Sequence, residues 1–182
     1  MGDTPTPAAP QALFAFRPVV LFTAVFFPWP SWPAASSRRS STWASAAPPA
    51  EPVSIPYKDT SLPGYLVSPP DATRPLPTLI VNNGSDDPVS SAWTPLGAPA
   101  VARGFRALSF DGPGQQSMLF AHGVPFRPDW ENVVTPVVDV LLPRPDVDPR
   151  RIVLAGISQA GYWVPRALAF EHRIAAAVAD PE

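Results

Sequence analysis

The polarity pattern of the chain changes near residue 50. Before that point, Met1 to Ala50 keeps neither the alternation of a half-buried strand nor the period of an amphipathic helix, and it is dense in Pro, Ala, Ser and Trp with almost no acidic residues. This segment is expected to be poorly ordered. Its one sustained apolar run, Val19 to Phe27, follows Arg17 and precedes the small residues Ala34 and Ala35, so a secretory signal over residues 17–35 is one reading. Asp3 and several prolines stand where a basic start belongs, Pro18, Pro28 and Pro30 crowd the run, and the run is too short to span a bilayer. The expectation is a cytoplasmic chain without membrane association. The Pro, Ala, Ser and Arg bias is also what a shifted reading frame in GC-rich DNA produces.

From Glu51 onward the pattern is regular. Val53 to Tyr57 and Tyr65 to Val67, separated by a turn over Asp59 to Gly64, predict a hairpin. Short β-rich apolar runs then recur at Thr78 to Val81, Ala107 to Phe110, Ile152 to Ala155 and Ile174 to Ala179. Between them lie helix-like stretches at Ser91 to Arg103, Trp130 to Leu142 and Gln159 to Phe170. Strands alternating with helices predict β-α-β units on a mostly parallel sheet. Two parts are expected, a low-complexity segment over 1–50 and an α/β domain over 51–182. In such sheets ligands bind beyond the carboxyl ends of the strands. The loops Asn82 to Asp87 and Asp111 to Gln115, together with Ser158 and Asp180, all fall at that edge.

Composition narrows the function classes. The chain has 182 residues, 46% of them hydrophobic, enough for one domain with a sizeable core. A net charge of −2 with 15% charged residues provides no basic field, so no nucleic-acid partner is expected. The absence of Cys removes disulfides and thiolate chemistry. The two histidines, His122 and His172, lack metal-ligand spacing, so neither metal nor cofactor is expected.

The run Gly156-Ile157-Ser158-Gln159-Ala160-Gly161 joins a strand-like stretch to a helix-like one. A serine at the apex of a tight strand-to-helix turn has its Oγ exposed at the sheet edge, and its neighbours must be small for the turn to close. Gly156 and Ala160 meet that need, although the second Gly of the G-x-S-x-G pattern is Ala160 here, with Gly161 following. An ordinary strand-to-helix turn is the bland alternative.

The motifs PYKDTSLPGYL, NNGSDD, SFDGPGQ, VDPRRIVLAGISQAGY and AVADP, in this order, resemble those of α/β-hydrolases, in the branch of the dihydropseudooxynicotine hydrolases and acylaminoacyl-peptidase-like esterases. The resemblance runs from Glu51 to Glu182. It implies a partial α/β-hydrolase fold: a mostly parallel sheet with flanking helices, its C-terminal strands missing. It also implies acyl transfer on a small-molecule acyl-type substrate, an ester, an amide or a carbon-carbon bond next to a carbonyl. Ser158 would be the nucleophile, and the oxyanion would be held by the backbone N–H of Gln159 and by one from Gly84 or Ser85. Asp111 to Gly114 reads instead as a turn shaping the pocket.

The family order is Ser, acid, His. Asp180, at the end of the last apolar run, is a candidate acid, or simply a strand terminator before Pro181. No suitable base follows it. His172, at about 1.5 Å per helical residue, stands roughly 15 to 20 Å from Ser158 and reads as a helix-end residue. His122 lies on the correct edge but out of the family order, so it is a weak candidate base or a loop residue. The aromatic residues Phe126, Trp130, Tyr162 and Trp163 are left unassigned between pocket and core. The reading is a serine-hydrolase-type domain, truncated and weakly active or inactive; the alternative is a non-catalytic ligand-binding or interaction protein on the same fold. Without further strands, the edge at Ile174 to Ala179 would be bare, which predicts self-association and poor solubility.

Overall fold

The computed structural model describes residues 20–23, 49–70 and 72–181, the first of these segments by backbone alone. Its strands are β1 (Val20–Thr23), β2 (Ala50–Tyr57), β3 (Thr60–Val67), β4 (Leu76–Asn82), β5 (Arg106–Phe110), β6 (Val147–Ile157) and β7 (Ala176–Asp180). They form one seven-stranded sheet in the order β1-β7-β6-β4-β5-β3-β2. Strands β4, β5, β6, β7 and β1 pair in parallel, whereas β3 runs antiparallel to both β2 and β5. The predicted β-α-β pattern and the hairpin are both present. The hairpin turn is tighter than the sequence suggested: Tyr57 pairs with Thr60 across Lys58, whose φ is +48°, so Ser61 to Gly64 are strand residues and not part of the loop.

The helices are α1 (Gly97–Ala102), α2 (Gln116–Phe120), α3 (Glu131–Leu141) and α4 (Ala160–Leu168), and a 3-10 turn spans Ser91–Trp93. The stretch expected to be one helix over Ser91 to Arg103 is therefore broken between the 3-10 turn and α1. Pro95 stands in that break, and it cannot donate to a helical ladder. Helix α2 had no periodic signal because it is too short to show one.

Both faces of the sheet are covered. In β3 and β5, Leu66 and Leu108 point to the main core, where they join Ile80, Ile152 and Leu154. Helix α3 closes this core with Val133, Val134, Val137, Val138 and Leu141, the apolar stripe its sequence predicts. Helix α4 contributes Trp163, Val164 and Ala167. The alternate residues Tyr65, Val67, Ala107 and Ser109 line the other face beneath Val89 and Trp93.

One expectation is corrected at the sheet edge. Strand β7 is not bare, because Val20–Thr23 lies parallel to it, with Val20 beside Ala176 and Thr23 beside Ala179. An apolar run inside a low-complexity segment still carries backbone donors and acceptors, and here they pair with the last strand. The association and poor solubility expected from a bare edge at Ile174 to Ala179 lose their stated cause. The rest of the segment expected to be poorly ordered, and most of the 17–35 signal reading, lie outside the described residues. At the opposite edge β2 carries Pro52 and Pro56, which cannot donate to a further strand.

Between α4 and β7 the buried carboxylate of Glu171 accepts from Thr135 Oγ1 at 3.0 Å and from Arg173 Nε at 2.8 Å and its backbone N–H at 3.0 Å. Burial by itself pushes this carboxyl up, but the Arg173 and Thr135 bonds together outweigh burial and hold it below the usual glutamate range. A depressed carboxylate contributes stability that is present above the unfolded-state pKa of about 4.3 and lost as pH falls through the lower folded value. Glu171→Gln is therefore expected to lower the melting temperature at neutral pH, with the difference from wild type shrinking in acid. A difference that stays constant across pH would contradict this.

Candidate active site

The turn from β6 to α4 sets the geometry. Ser158 has φ +57°, a left-handed conformation that costs a non-glycine residue roughly 1–2 kcal/mol, and its side chain is exposed. The strain persists because the flanking packing fixes the turn. A Cβ on Gly156 would stand 2.6 Å from both Ala160 O and Val164 Cγ2, and one on Gly161 would stand 2.6 Å from Pro181 Cα. Gly156 thus lets α4 close on β6, and Gly161 lets it close on the end of β7. Ala160 is fully buried and fits where the motif usually has Gly. Helix α4 begins with Gly161 N–H donating to Ser158 O at 2.8 Å, while the N–H of Gln159 has no acceptor among the described residues. Ser158→Gly is expected to raise stability by about 1 kcal/mol, because glycine adopts this φ freely. Thermal unfolding would check this, and a loss of stability would contradict it.

The loop after β4 presses against this serine. Gly84 approaches so closely that a Cβ there would lie 2.9 Å from Ser158 Cβ and 3.2 Å from its Oγ, and 3.5 Å from Asp87 Oδ2. The loop is held from behind by Gln115, which is fully buried. Its Nε2 donates to Asn83 O at 2.9 Å and Gly84 O at 2.7 Å, and its Oε1 accepts from Gly112 N–H at 2.7 Å. Asn82 Oδ1 accepts from Trp130 Nε1 at 2.6 Å, and Asn83 Nδ2 donates to Pro88 O at 2.9 Å. The N–H groups of Gly84 and Ser85 have no acceptor among the described residues.

The turn Asp111 to Gly114 supports the site from the side. Asp111 Oδ2 accepts from Ser117 Oγ at 2.6 Å, and Gly114, at φ +82°, leaves room for Phe126, whose ring a Cβ would meet at 2.1 Å. Next to Gln159 a groove of about 280 Å³ is lined by Phe126, Arg127, Pro128, Tyr162 and Trp163. Of the aromatic residues left unassigned, Trp130 and Trp163 are core, stacked at 3.8 Å, while Phe126 and Tyr162 are exposed. Arg127 is already engaged: it donates to Asp129 Oδ1 at 2.7 Å and to Tyr57 Oη at 2.7 Å. The bond to Asp129 raises the Arg127 pKa, and the same bond holds the Asp129 carboxyl well below its usual range.

Ser158, Gln159, Gly84 and Ser85 therefore share one place at the carboxyl edge of the sheet. Asp180 ends β7 in register with Ile157, and its carbonyl carbon would lie 2.9 Å from a Cβ on Gly161. His122 occupies an exposed turn after α2 and has no hydrogen bond or ion pair among the described residues. His172 is exposed in the turn before β7, at the opposite edge of the sheet. The sequence reading missed Gln115 and the Asn82–Trp130 pair. A glutamine directly after Gly-Pro-Gly was a visible signal, but its partners lie more than thirty positions upstream. Among the described residues no group of three or more His, Cys, Asp or Glu could hold a metal ion, and no helix is long and apolar enough to cross a membrane.

Comparisons with known proteins agree with this geometry. No family model matches the chain. It is 36% identical over 138 residues to the hydrolyase ccsE of Aspergillus clavatus, covering 70% of this chain and 31% of that protein. It is 37% identical over 135 residues to the alpha/beta hydrolase psoB of Aspergillus fumigatus, covering 68% of this chain and 30% of that one. The chain thus spans about a third of the length of these curated relatives. Among solved structures, 2,6-dihydroxy-pseudo-oxynicotine hydrolase superposes with a TM-score of 0.65 at 26% identity, covering 70% of this chain and 35% of that one. A dienelactone hydrolase from Klebsiella pneumoniae superposes at 0.58 with 21% identity, over 72% of this chain and 58% of that one, a likeness of fold alone. With a parallel sheet of this order behind the Ser158 turn and relatives of these names, the chain belongs to the α/β-hydrolase superfamily and carries part of its fold.

Proposed function

We propose that the chain carries the nucleophile half of a serine hydrolase site acting on an ester, an amide or a carbon-carbon bond next to a carbonyl. Ser158 is the nucleophile. The N–H groups of Gln159, Gly84 and Ser85 are the oxyanion donors, and Asp180 is the candidate acid. The observation that carries this reading is the left-handed, exposed Ser158 pressed against Gly84, with unpaired N–H groups on both sides. A strained turn at an exposed serine is maintained against a cost, and a site that presents a hydroxyl is a reason to maintain it. The hydrolase names of the relatives support the same class.

The site is weakly active as it stands, within an incomplete domain. Neither histidine has a hydrogen bond to Ser158, and general-base assistance contributes typically about 10²–10⁴-fold to rate. Oxyanion donors and binding alone leave a residual of roughly 10³–10⁴ over the uncatalysed reaction in a serine hydrolase stripped of its triad. The isolation of both imidazoles also favours a second reading, a non-catalytic ligand-binding protein on the same fold. The division into a segment over 1–50 and a domain over 51–182 belongs to the same proposal, with Val20–Thr23 of the first segment adding strand β1 to the sheet of the second.

A fluorophosphonate probe tests it. The expected result is slow labelling confined to Ser158, absent in Ser158→Ala and after heat denaturation, and unchanged in His122→Ala. Labelling abolished by His122→Ala would make that residue the base. No labelling, with ligand binding untouched by Ser158→Ala, would select the non-catalytic reading.

A further inference from the structure

The side chain of Gln115 has a geometry that its packing alone does not require. It places one donor group against two consecutive carbonyls, those of Asn83 and Gly84, while its oxygen anchors to Gly112 N–H. Peptide units are planar, and no cis bond occurs among the described residues, so each carbonyl points opposite to the N–H that follows it. With both carbonyls drawn to Gln115, the N–H groups of Gly84 and Ser85 point to the other side of the loop. Ser158 packs against Gly84, and neither N–H has an acceptor among the described residues. Consecutive N–H groups aimed at one point form a concavity for negative charge.

We propose that Gln115 is a positioning residue, fixing the N–H groups of Gly84 and Ser85 toward the oxygen that gains charge when Ser158 adds to its target. The inference rests on the serine-hydrolase reading. The side-chain hydrogen bonds of Gln115 go to Gly112, Asn83 and Gly84 and none to Ser158, so it acts through the two peptide planes it holds. A donor aligned before reaction needs no reorganisation when the charge appears, which is why such alignment affects rate.

The test uses phenylboronic acid with the isotopically labelled full chain and reads the backbone amides by NMR. Ser158 Oγ adds to the trigonal boron, an Oγ–B bond forms, the hydroxyl proton passes to the buffer, and the tetrahedral boronate carries negative charge. In the wild type, the amide protons of Gly84, Ser85 and Gln159 are expected to move downfield together. In Gln115→Met, which removes the donor at nearly constant volume, the Gly84 and Ser85 shifts are lost and the Gln159 shift remains. Gln115→Glu, which keeps an acceptor for Gly112 but turns an oxygen toward the two carbonyls, is expected to behave alike. A merely structural role would weaken all three amides equally, and that result would overturn the proposal. So would unchanged Gly84 and Ser85 shifts in the variants, or a wild type in which Gln159 moves alone, an outcome that needs no variant to fold. Silence at all three wild-type amides would sink the serine reading itself, and the role of Gln115 with it.

Discussion

Gly156→Ala is expected to lower stability by about 3 kcal/mol, the upper end of the overpacking range, and to abolish reactivity at Ser158 at the same time. The added methyl would stand 2.6 Å from Ala160 O and Val164 Cγ2 and 2.9 Å from Ala160 C. Two of those atoms are backbone in the first turn of α4, so the clash cannot be relieved by rotating a side chain. Helix α4 must lift from β6, and Ser158 and Gln159 lie in the turn between them. At roughly 2–4 °C per kcal/mol for a chain of this size, thermal unfolding should show a fall of about 10 °C. A soluble Gly156→Ala protein with unchanged melting and labelling would mean that the tight β6–α4 turn is not what holds the serine.

The second large effect is at Trp130. Trp130→Ala is expected to cost about 3–5 kcal/mol, the range for deleting a buried aromatic ring. The ring is fully buried, stacks on Trp163 at 3.8 Å, and donates through Nε1 to Asn82 Oδ1 at 2.6 Å. Its loss opens a cavity between α3 and α4 and leaves the buried Asn82 oxygen without its donor, a further desolvation cost of about 1–3 kcal/mol. Total stabilities are roughly 5–15 kcal/mol, so the variant should sit near the folding threshold. Trp130→Phe separates the two contributions: it keeps most of the ring and loses only the Asn82 bond. Denaturant unfolding should place it between the wild type and the alanine variant. A Phe variant as damaged as the alanine one would put the energy in the hydrogen bond.

The parts of this architecture that repeat along the chain are legible in the sequence. Runs such as Thr78 to Val81 and Ile152 to Ala155 are buried except for the half-buried Leu79 and Val153, and continuous apolar strands of this kind carry a local signature. The valine stripe of α3 does too. The Ser158 turn was legible because its requirements, a strand, small neighbours and a helix, are adjacent in sequence. Pairings between distant segments were not. Val20–Thr23 joins β7 across more than 150 positions, and nothing in four apolar residues says which strand they will meet. In the sequence Gly161 is only the residue after the motif, because its reason for being Gly is Pro181, which its Cβ would strike. In the sequence Gln115 only follows a Gly-Pro-Gly turn, while its side chain bonds carbonyls in another loop. His122 and His172 both lie in exposed turns, His122 after α2 and His172 before β7.

Chemical rescue tests the central claim most directly. Free imidazole can stand in for a missing general base, so turnover of an activated aryl ester by the 182-residue chain should rise with imidazole concentration. Ser158→Ala, assayed in the same buffers, should show only the solution reaction. Imidazole-dependent turnover that requires Ser158 is the predicted result, and identical rates for the wild type and Ser158→Ala at every imidazole concentration would contradict the assignment of Ser158 as a nucleophile.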